Sequence, residues 1–442
     1  MMGLAMDGAI HHPLAYARIQ QGWTKAELAR RVRQAAVVRG LRSGVDRQRT
    51  WKWETGRAVP DRESQVLLAA VFGVDVNDVE RHGWPDWLPG RDEPLPLGAP
   101  YTVQALREAL RTAMDRRNFM TLGALALTGL AAQWATLEPG RLTTALAGKS
   151  TDATLVDWLE KTTAGLSTMP TEQRQYTARL LDAHLETVTD LIEHSRYTTR
   201  TGLRLHALAA TLGTTCGWYR FDQGQHSAAG RFWTGALQSS HAAGDRDFGA
   251  GVISDFAYQA IWLNSPQLAG DLLGLALSRA THPTARSLLH LRRARAFAAM
   301  HSAAACQREL TAAERDLDVS ASDPAPAWCG WMSPADLMVD SGQCFLDLGR
   351  TGEAQNRIRE GIALLPRSRD KTRGIFLTYQ ARSLLQSGDV EEAAVAAGES
   401  LELANRIGAE RSVSLLRDLS PQFTRHTKVG RVGSLMEDLR AS

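Results

Sequence analysis

The stretch "DRQRTWKWETGRAVP", residues 46–60, carries side chains at a spacing that suits reading a charged polymer. At 100° per residue, Thr50 and Trp53 fall on one side of a short helix, and Arg47, Gln48, Trp51 and Lys52 fall on the other. One side is fit to be anchored and the other to be presented. An arginine can bond guanine N7 and O6, a glutamine amide can bond adenine N6 and N7, and a lysine can pair with phosphate. Enzyme chemistry has no comparable foothold: the sequence shows no P-loop, nucleophile elbow, zincin motif or dinucleotide fingerprint. His184, His206, His226, His241 and Cys216 lack metal-ligand spacing, so neither metal nor cofactor is expected. Cys216, Cys306, Cys329 and Cys344 show no paired spacing and read as reduced, mostly buried thiols.

Two helices must position the presented set. Thr24 can cap an N-terminus and Glu27, three residues on, can reach back to it, a capping box ahead of Leu28, Ala29 and Val32. Asp46 is a good N-cap for the second helix, Gly56 stops it, and Pro60 lies just past the stop, which predicts a helix over about 47–55.

"RIQQGWTKAELARRV" followed by "TWKWETGRAVP" resembles the Xre, or lambda-repressor-like, helix-turn-helix regulators. The likeness covers about residues 13–80, with "VLLAAVFGVDVNDV" as the terminal helix pair. It implies that Arg18 pairs with Glu54, that Trp53 packs the module core, and that Arg47, Gln48 and Lys52 face double-stranded DNA. Thr24 and Lys25 at the start of helix 2, together with Trp51, Arg39 and Arg42, complete the candidate DNA-facing set. The sequence departs from the family between the two helices. Gln34 to Val45 stands where a tight turn is usual, and this insertion either lengthens helix 2 or forms a basic loop with Arg39 and Arg42.

Charge distribution agrees with an anionic partner at one end of the chain. The 442 residues carry a formal charge of +3, yet residues 13–60 hold eleven Arg and Lys against Glu27, Asp46 and Glu54, a local +8 that leaves −5 for the rest. Hydrophobic content of 44% is enough for a sizeable core in two or three domains.

"WPDWLPGRDEPLPLGAP", residues 84–100, has five prolines in seventeen residues and reads as a semi-rigid spacer after a module over 13–83. Residues 101–150 form a helical connector in which Val103, Leu106, Leu110 and Met114 recur at helical spacing. The stripe runs into "MDRRNFMTLGALALTGLAAQWA", a twin-arginine look-alike with Arg116 and Arg117. Residues 118–137 carry no charge, but Asn118, threonines, glycines and Gln133 dilute the run, and it lies far from any N-terminal signal position. The first 25 residues hold no apolar run of signal length. The expectation is therefore a cytoplasmic protein with no membrane span, in which residues 114–135 form a helix buried against the following domain or a second subunit. The same look-alike accompanies Xre-type regulators with repeat-containing C-terminal halves in high-GC, actinobacterial genomes.

From about residue 155 the pattern is helical and self-similar. "GWYRFDQGQHSAAGRFWTGAL", "GQCFLDLGRTGEAQNRIREGIALLP" and "ARSLLQSGDVEEAAVAAGESLELA" each place an alanine five positions after a turn glycine: Ala229 after Gly224, Ala354 after Gly349, Ala393 after Gly388. "LNSPQLAGDLLGLALSRA" and "AMHSAAACQRELTAAERDL" fall between as weaker copies. These resemble tetratricopeptide repeats, over about 151–425, whose stacked units leave a concave groove. The fold class is thus all-α: a helix-turn-helix domain, then an α-solenoid. Trp218, Tyr219, Trp233, Tyr258 and Trp262 either pack between helices or line a groove for a peptide or small-molecule effector.

Two functions fit. One is a DNA-binding transcriptional regulator, dimeric through its body, whose repeats sense a peptide, a small molecule or a partner protein. The other is a tetratricopeptide scaffold whose N-terminal module does not read DNA.

Overall fold

The computed structural model describes residues 13–20, 23–55, 57–72, 74, 76–82, 84, 85, 87, 88, 97–114, 124–138, 151–167, 174–319, 324–426 and 430–441. Among these, the regular structure is α-helical throughout, in one compact N-terminal module and one long array of helix pairs.

The module consists of α1 (Pro13–Gln20), α2 (Lys25–Val38), α3 (Arg47–Glu54), α4 (Arg62–Phe72) and α5 (Val76–His82). Thr24 caps α2 by accepting the Glu27 N–H at 3.1 Å, and Asp46 caps α3 by accepting the Arg49 N–H at 2.7 Å. Only half of the anticipated capping box forms, because the Glu27 carboxylate turns outward to Arg30 and Arg31. The insertion takes both of its anticipated forms: α2 runs on to Val38, and Arg39 to Asp46 make a loop. Gly40 turns that corner at a φ of +70°, and the Leu41 N–H closes on the Ala36 carbonyl at 2.8 Å.

The proline-rich stretch does not begin as a free spacer. Trp84, Trp87 and Leu88 pack with Leu28, Val32, Trp53 and Leu67, and Trp87 is wholly buried, its Nε1 donating to Gln65 Oε1 at 3.3 Å. Burying two indoles outweighs any extended preference the prolines impose on their neighbours. Leu97 is likewise buried, in the core of the array.

Two helices follow, α6 (Ala99–Met114) and α7 (Ala124–Thr136). Within the twin-arginine look-alike, Arg116, Arg117 and Leu122 lie outside the described residues. The described part after residue 123 is α7, whose Leu127, Leu130 and Trp134 are buried in the array core. No helix among the described residues is long and apolar enough to cross a membrane.

The array pairs α8 (Ala153–Ser167) with α9 (Arg174–His194), α10 (Thr199–Asp222) with α11 (His226–Ala243), and α12 (Arg246–Trp262) with α13 (Pro266–Leu277). It continues with α14 (Pro283–Ala299) and α15 (Ala303–Val319), α16 (Pro334–Asp347) and α17 (Thr351–Leu364), and α18 (Asp370–Ser387) and α19 (Val390–Ile407). It ends with α20 (Glu410–Phe423), a short 3-10 turn and α21 (Gly430–Ala441), so packing extends past residue 425 through Val432, Leu435 and Leu439. The first helices of successive pairs touch one another and form the inner wall, from α12 through α20. The second helices form the outer wall. Helix α6 lies against α9 and α11, and α7 lies against α12 and α13, so the connector flanks the array while α8 and α9 stand at its start.

Among the described residues, one turn repeats five times within the pairs. Gly224, Asn264, His301, Gly349 and Gly388 all have φ between 55° and 89°. In each, the N–H of the following residue closes on the carbonyl five before it, as from Gln225 to Arg220 and from Ser302 to Phe297. Five residues after each turn sits a side chain with no exposed surface: Ala229, Ala269, Cys306, Ala354 and Ala393. The repeat is therefore regular where the sequence looks degenerate. Asn264 and His301 do the work of glycine, and the interval lengthens from His301 to Gly349 because a loop separates α15 from α16.

Candidate functional site

In the N-terminal module, the geometry is set by a buried ion pair. Arg18 Nε donates to Glu54 Oε1 at 2.6 Å, Nη2 to Oε2 at 3.3 Å, and Nη1 to the Trp23 carbonyl at 2.6 Å, tying α1 to the last turn of α3. Thr50, Trp53 and Glu54 are buried together. With that side fixed, Gln48 and Lys52 stand in the middle of the solvent side of α3 and are exposed, as are Arg47 and Arg49 at its margins. Trp51 is half-buried, with Arg57 over its ring at 4.6 Å. Arg39 and Arg42 are exposed in the loop that precedes α3.

Two of the residues expected on this side also have partners within the module. Lys25 approaches Glu54 Oε2 at 3.6 Å and so faces the core pair, and the Thr24 hydroxyl is engaged in capping α2. Sequence reasoning overlooked Arg49 and Arg57. Both are exposed, and the run of Arg and Lys at 47, 49, 52 and 57 was the signal for them. The arrangement can pair with phosphates over a broad front while an amide and a guanidinium reach toward base edges.

The second site lies on the inner wall of the array. Helix α10 turns Trp218, Phe221 and Asp222 inward, and α12 turns Asp255, Tyr258 and Trp262 inward, spacings that keep side chains on one helical face. Their rings form one cluster, with centroids 5.4 Å apart for Trp218 and Phe221, 5.6 Å for Trp218 and Tyr258, and 5.9 Å for Phe221 and Trp262. Trp233 lies beneath as core. It has no exposed surface and its ring edge sits against Gly217, where a Cβ would overlap it. Tyr219 points to a different cluster, with Leu205, Leu208 and Leu212. Of the five aromatics singled out, then, Trp218, Tyr258 and Trp262 come together on the wall, Trp233 backs them with its ring centroid 5.7 Å from that of Trp218, and Tyr219 lies apart.

Charged groups that sequence reasoning missed close over these rings. Trp218 Nε1 donates to Asp255 Oδ2 at 2.9 Å, and Arg292 Nη1 of α14 donates to Asp255 Oδ1 and to Ser254 Oγ, both at 2.8 Å. Burial pushes the Asp255 carboxyl above the usual carboxylate range, against the opposing pull of Arg292 and Trp218. From the far end of the array, Lys371 of α18 pairs with Asp222, and Arg411 of α20 brings its Nε to 3.7 Å from Asp222 Oδ1. The Arg411 guanidinium lies 5.3 Å from the Phe221 centroid and 5.6 to 5.8 Å from those of Tyr258, Trp218 and Trp262. Lys371 and Arg411 each occupy the second position of an inner-wall helix, where the helix dipole disfavours a cation. That repeated oddity was legible in the sequence.

Residues 14–79 match the SP15 N-terminal domain. That family is matched over the module alone, a small part of the chain. No curated protein matches the sequence. Among solved structures, the chain is similar to one of a Rap protein complexed with competence and sporulation factor. The identity is 11%, the alignment covers 78% of this chain and 97% of that one, and the TM-score is 0.45. Among the described residues, no three His, Cys, Asp or Glu side chains are grouped to hold a metal ion.

Proposed function

We propose that this chain is a cytoplasmic, dimeric transcriptional regulator that binds operator DNA through its N-terminal module and senses an effector through its repeats. The observation that carries the reading is the opposition on α3. Thr50, Trp53 and Glu54 lock one side into the core, and Arg47, Gln48, Arg49 and Lys52 stand exposed on the other. Arg39, Arg42 and Arg57 extend the cationic front beyond the helix. Exposed cations with an amide among them match the two tasks of operator binding, holding the phosphate backbone and reading base edges. The repeat array supplies the other half, an inner wall where aromatic and charged side chains from five helices converge.

Operator binding is tested by footprinting the full chain on the DNA upstream of its own coding sequence. Protection of paired half-sites about one helical turn apart supports a dimeric regulator. Binding with no sequence preference, or none at all, would instead favour a scaffold built on the repeats.

A further inference from the structure

The contact between Asp222 and the pair Lys371 and Arg411 joins parts of the array that are remote in sequence, and it is incomplete. Arg411 is 10% exposed, yet its Nε and Nη1 have no hydrogen-bond partner. Arg411 and Lys371 sit in the first turns of α20 and α18, so the positive ends of two helix dipoles lie in the same region. Around Asp222, Asp255 and Asp340 stand Arg292, Arg295, Lys371 and Arg411, four cations against three carboxylates among the described residues. Four aromatic rings wall the Arg411 guanidinium. A guanidinium with two nitrogens that make no hydrogen bond, an excess positive charge, two helix starts and a ring-lined wall are the parts of a site for an anion carried on an apolar body.

We propose that Asp222 stands in for the carboxylate of an effector, and that a ligand carboxylate attached to an apolar group displaces it to bond Arg411 and Lys371 among Trp218, Phe221, Tyr258 and Trp262. Displacement frees α10 from α18 and α20, which is how occupancy changes the curvature of the array. This rests on the reading that the repeats sense an effector, and it names the effector's chemistry. A carboxylate fits because the resident group is one, held by the same two cations. The apolar body takes the rings that the cation now covers.

The test is calorimetric titration of the full chain, without DNA, with two matched pairs: N-acetyl-tryptophan and its amide, and octanoate and octanamide. At least one acid is expected to bind about tenfold or more tightly than its amide, the scale of one bond to a charged group. Preference for N-acetyl-tryptophan points to a peptide terminus, and preference for octanoate to a free aliphatic acid. Asp222→Asn removes the competing charge at constant size and should tighten the acid by about tenfold while leaving the amide unchanged. Arg411→Gln should abolish the acid's advantage. If circular dichroism shows that variant unfolded, Lys371→Met serves in its place. Equal binding of acid and amide in both pairs, binding of neither, or an acid affinity indifferent to Asp222→Asn overturns the proposal. Operator binding is measured separately, so failure of either result leaves the other standing.

Discussion

Arg18 and Glu54, 36 residues apart, meet through two hydrogen bonds in the interior of the N-terminal module. The pair holds α1 against α3, and with it the orientation of the exposed side of α3. Both side chains are buried, so removing one leaves the other's charge without its main partner.

Arg18→Ala should therefore destabilise the module by about 3 to 5 kcal/mol. Lys25, at 3.6 Å from Glu54, moderates the loss without replacing two bonds. Thermal unfolding of the full chain should show an early transition belonging to the module, with the array melting at its usual temperature. A single unchanged transition would contradict the structural role of the pair.

On the exposed side of α3, substitutions should separate by what each group reaches. Gln48→Ala should relax preference at one base position at a cost of about 1 to 3 kcal/mol. Arg49→Ala and Lys52→Ala should each weaken binding to all sequences and lower the salt slope by about 1. Lys25→Ala should move that slope far less, because Lys25 faces Glu54. All four can be read from filter binding at several salt concentrations, and a uniform effect across them would contradict the geometry.

The five repeated turns predict a gain in stability. His301 holds a φ of +55°, where an L side chain is strained and glycine is not. His301→Gly should stabilise the array by about 0.5 to 1 kcal/mol, the backbone relief outweighing the added freedom of the unfolded chain. Gly349→Ala, at a φ of +77°, should cost a comparable amount. Denaturant midpoints measure both, and a shift of the wrong sign at either site would refute the equivalence of the turns.

Acid should weaken the array before most of its carboxylates titrate. Burial lowers the His206 pKa from 6.5 to about 4, and burial lowers those of His226 and His241 too. A histidine depressed in the native state stays neutral there while the unfolded chain takes up a proton. Stability is thus complete above pH 6.5 and falls as the pH drops toward 4. At about 1.4 kcal/mol per unit, His206 contributes a loss on the order of 3 kcal/mol across that window. His206→Gln should flatten the pH dependence of unfolding, and an unchanged slope would show that His206 is not its source.

The sequence by itself determined whatever depends on neighbours a turn away. The caps at Thr24 and Asp46, the turn glycines 224, 349 and 388, the inward face of Trp53 and the succession of helix pairs all follow from hydrogen bonds and side-chain spacing within a few residues. Tertiary structure decided the rest. Lys25 belongs to the cationic segment by composition, yet Glu54, brought near by folding, draws it to the core. Trp84 and Trp87 sit among prolines that mark a spacer, yet the module had a hydrophobic surface to cover and indole burial prevailed. Asn264 and His301 do not resemble glycine, and only the regular stacking of α12 on α13 and α14 on α15 forces them into its conformation. Arg411 lies 189 positions after Asp222, from 222 to 411, and the two meet because each helix pair adds a small rotation to the last. That accumulated curvature is a property of the whole array, and no local stretch of sequence encodes it.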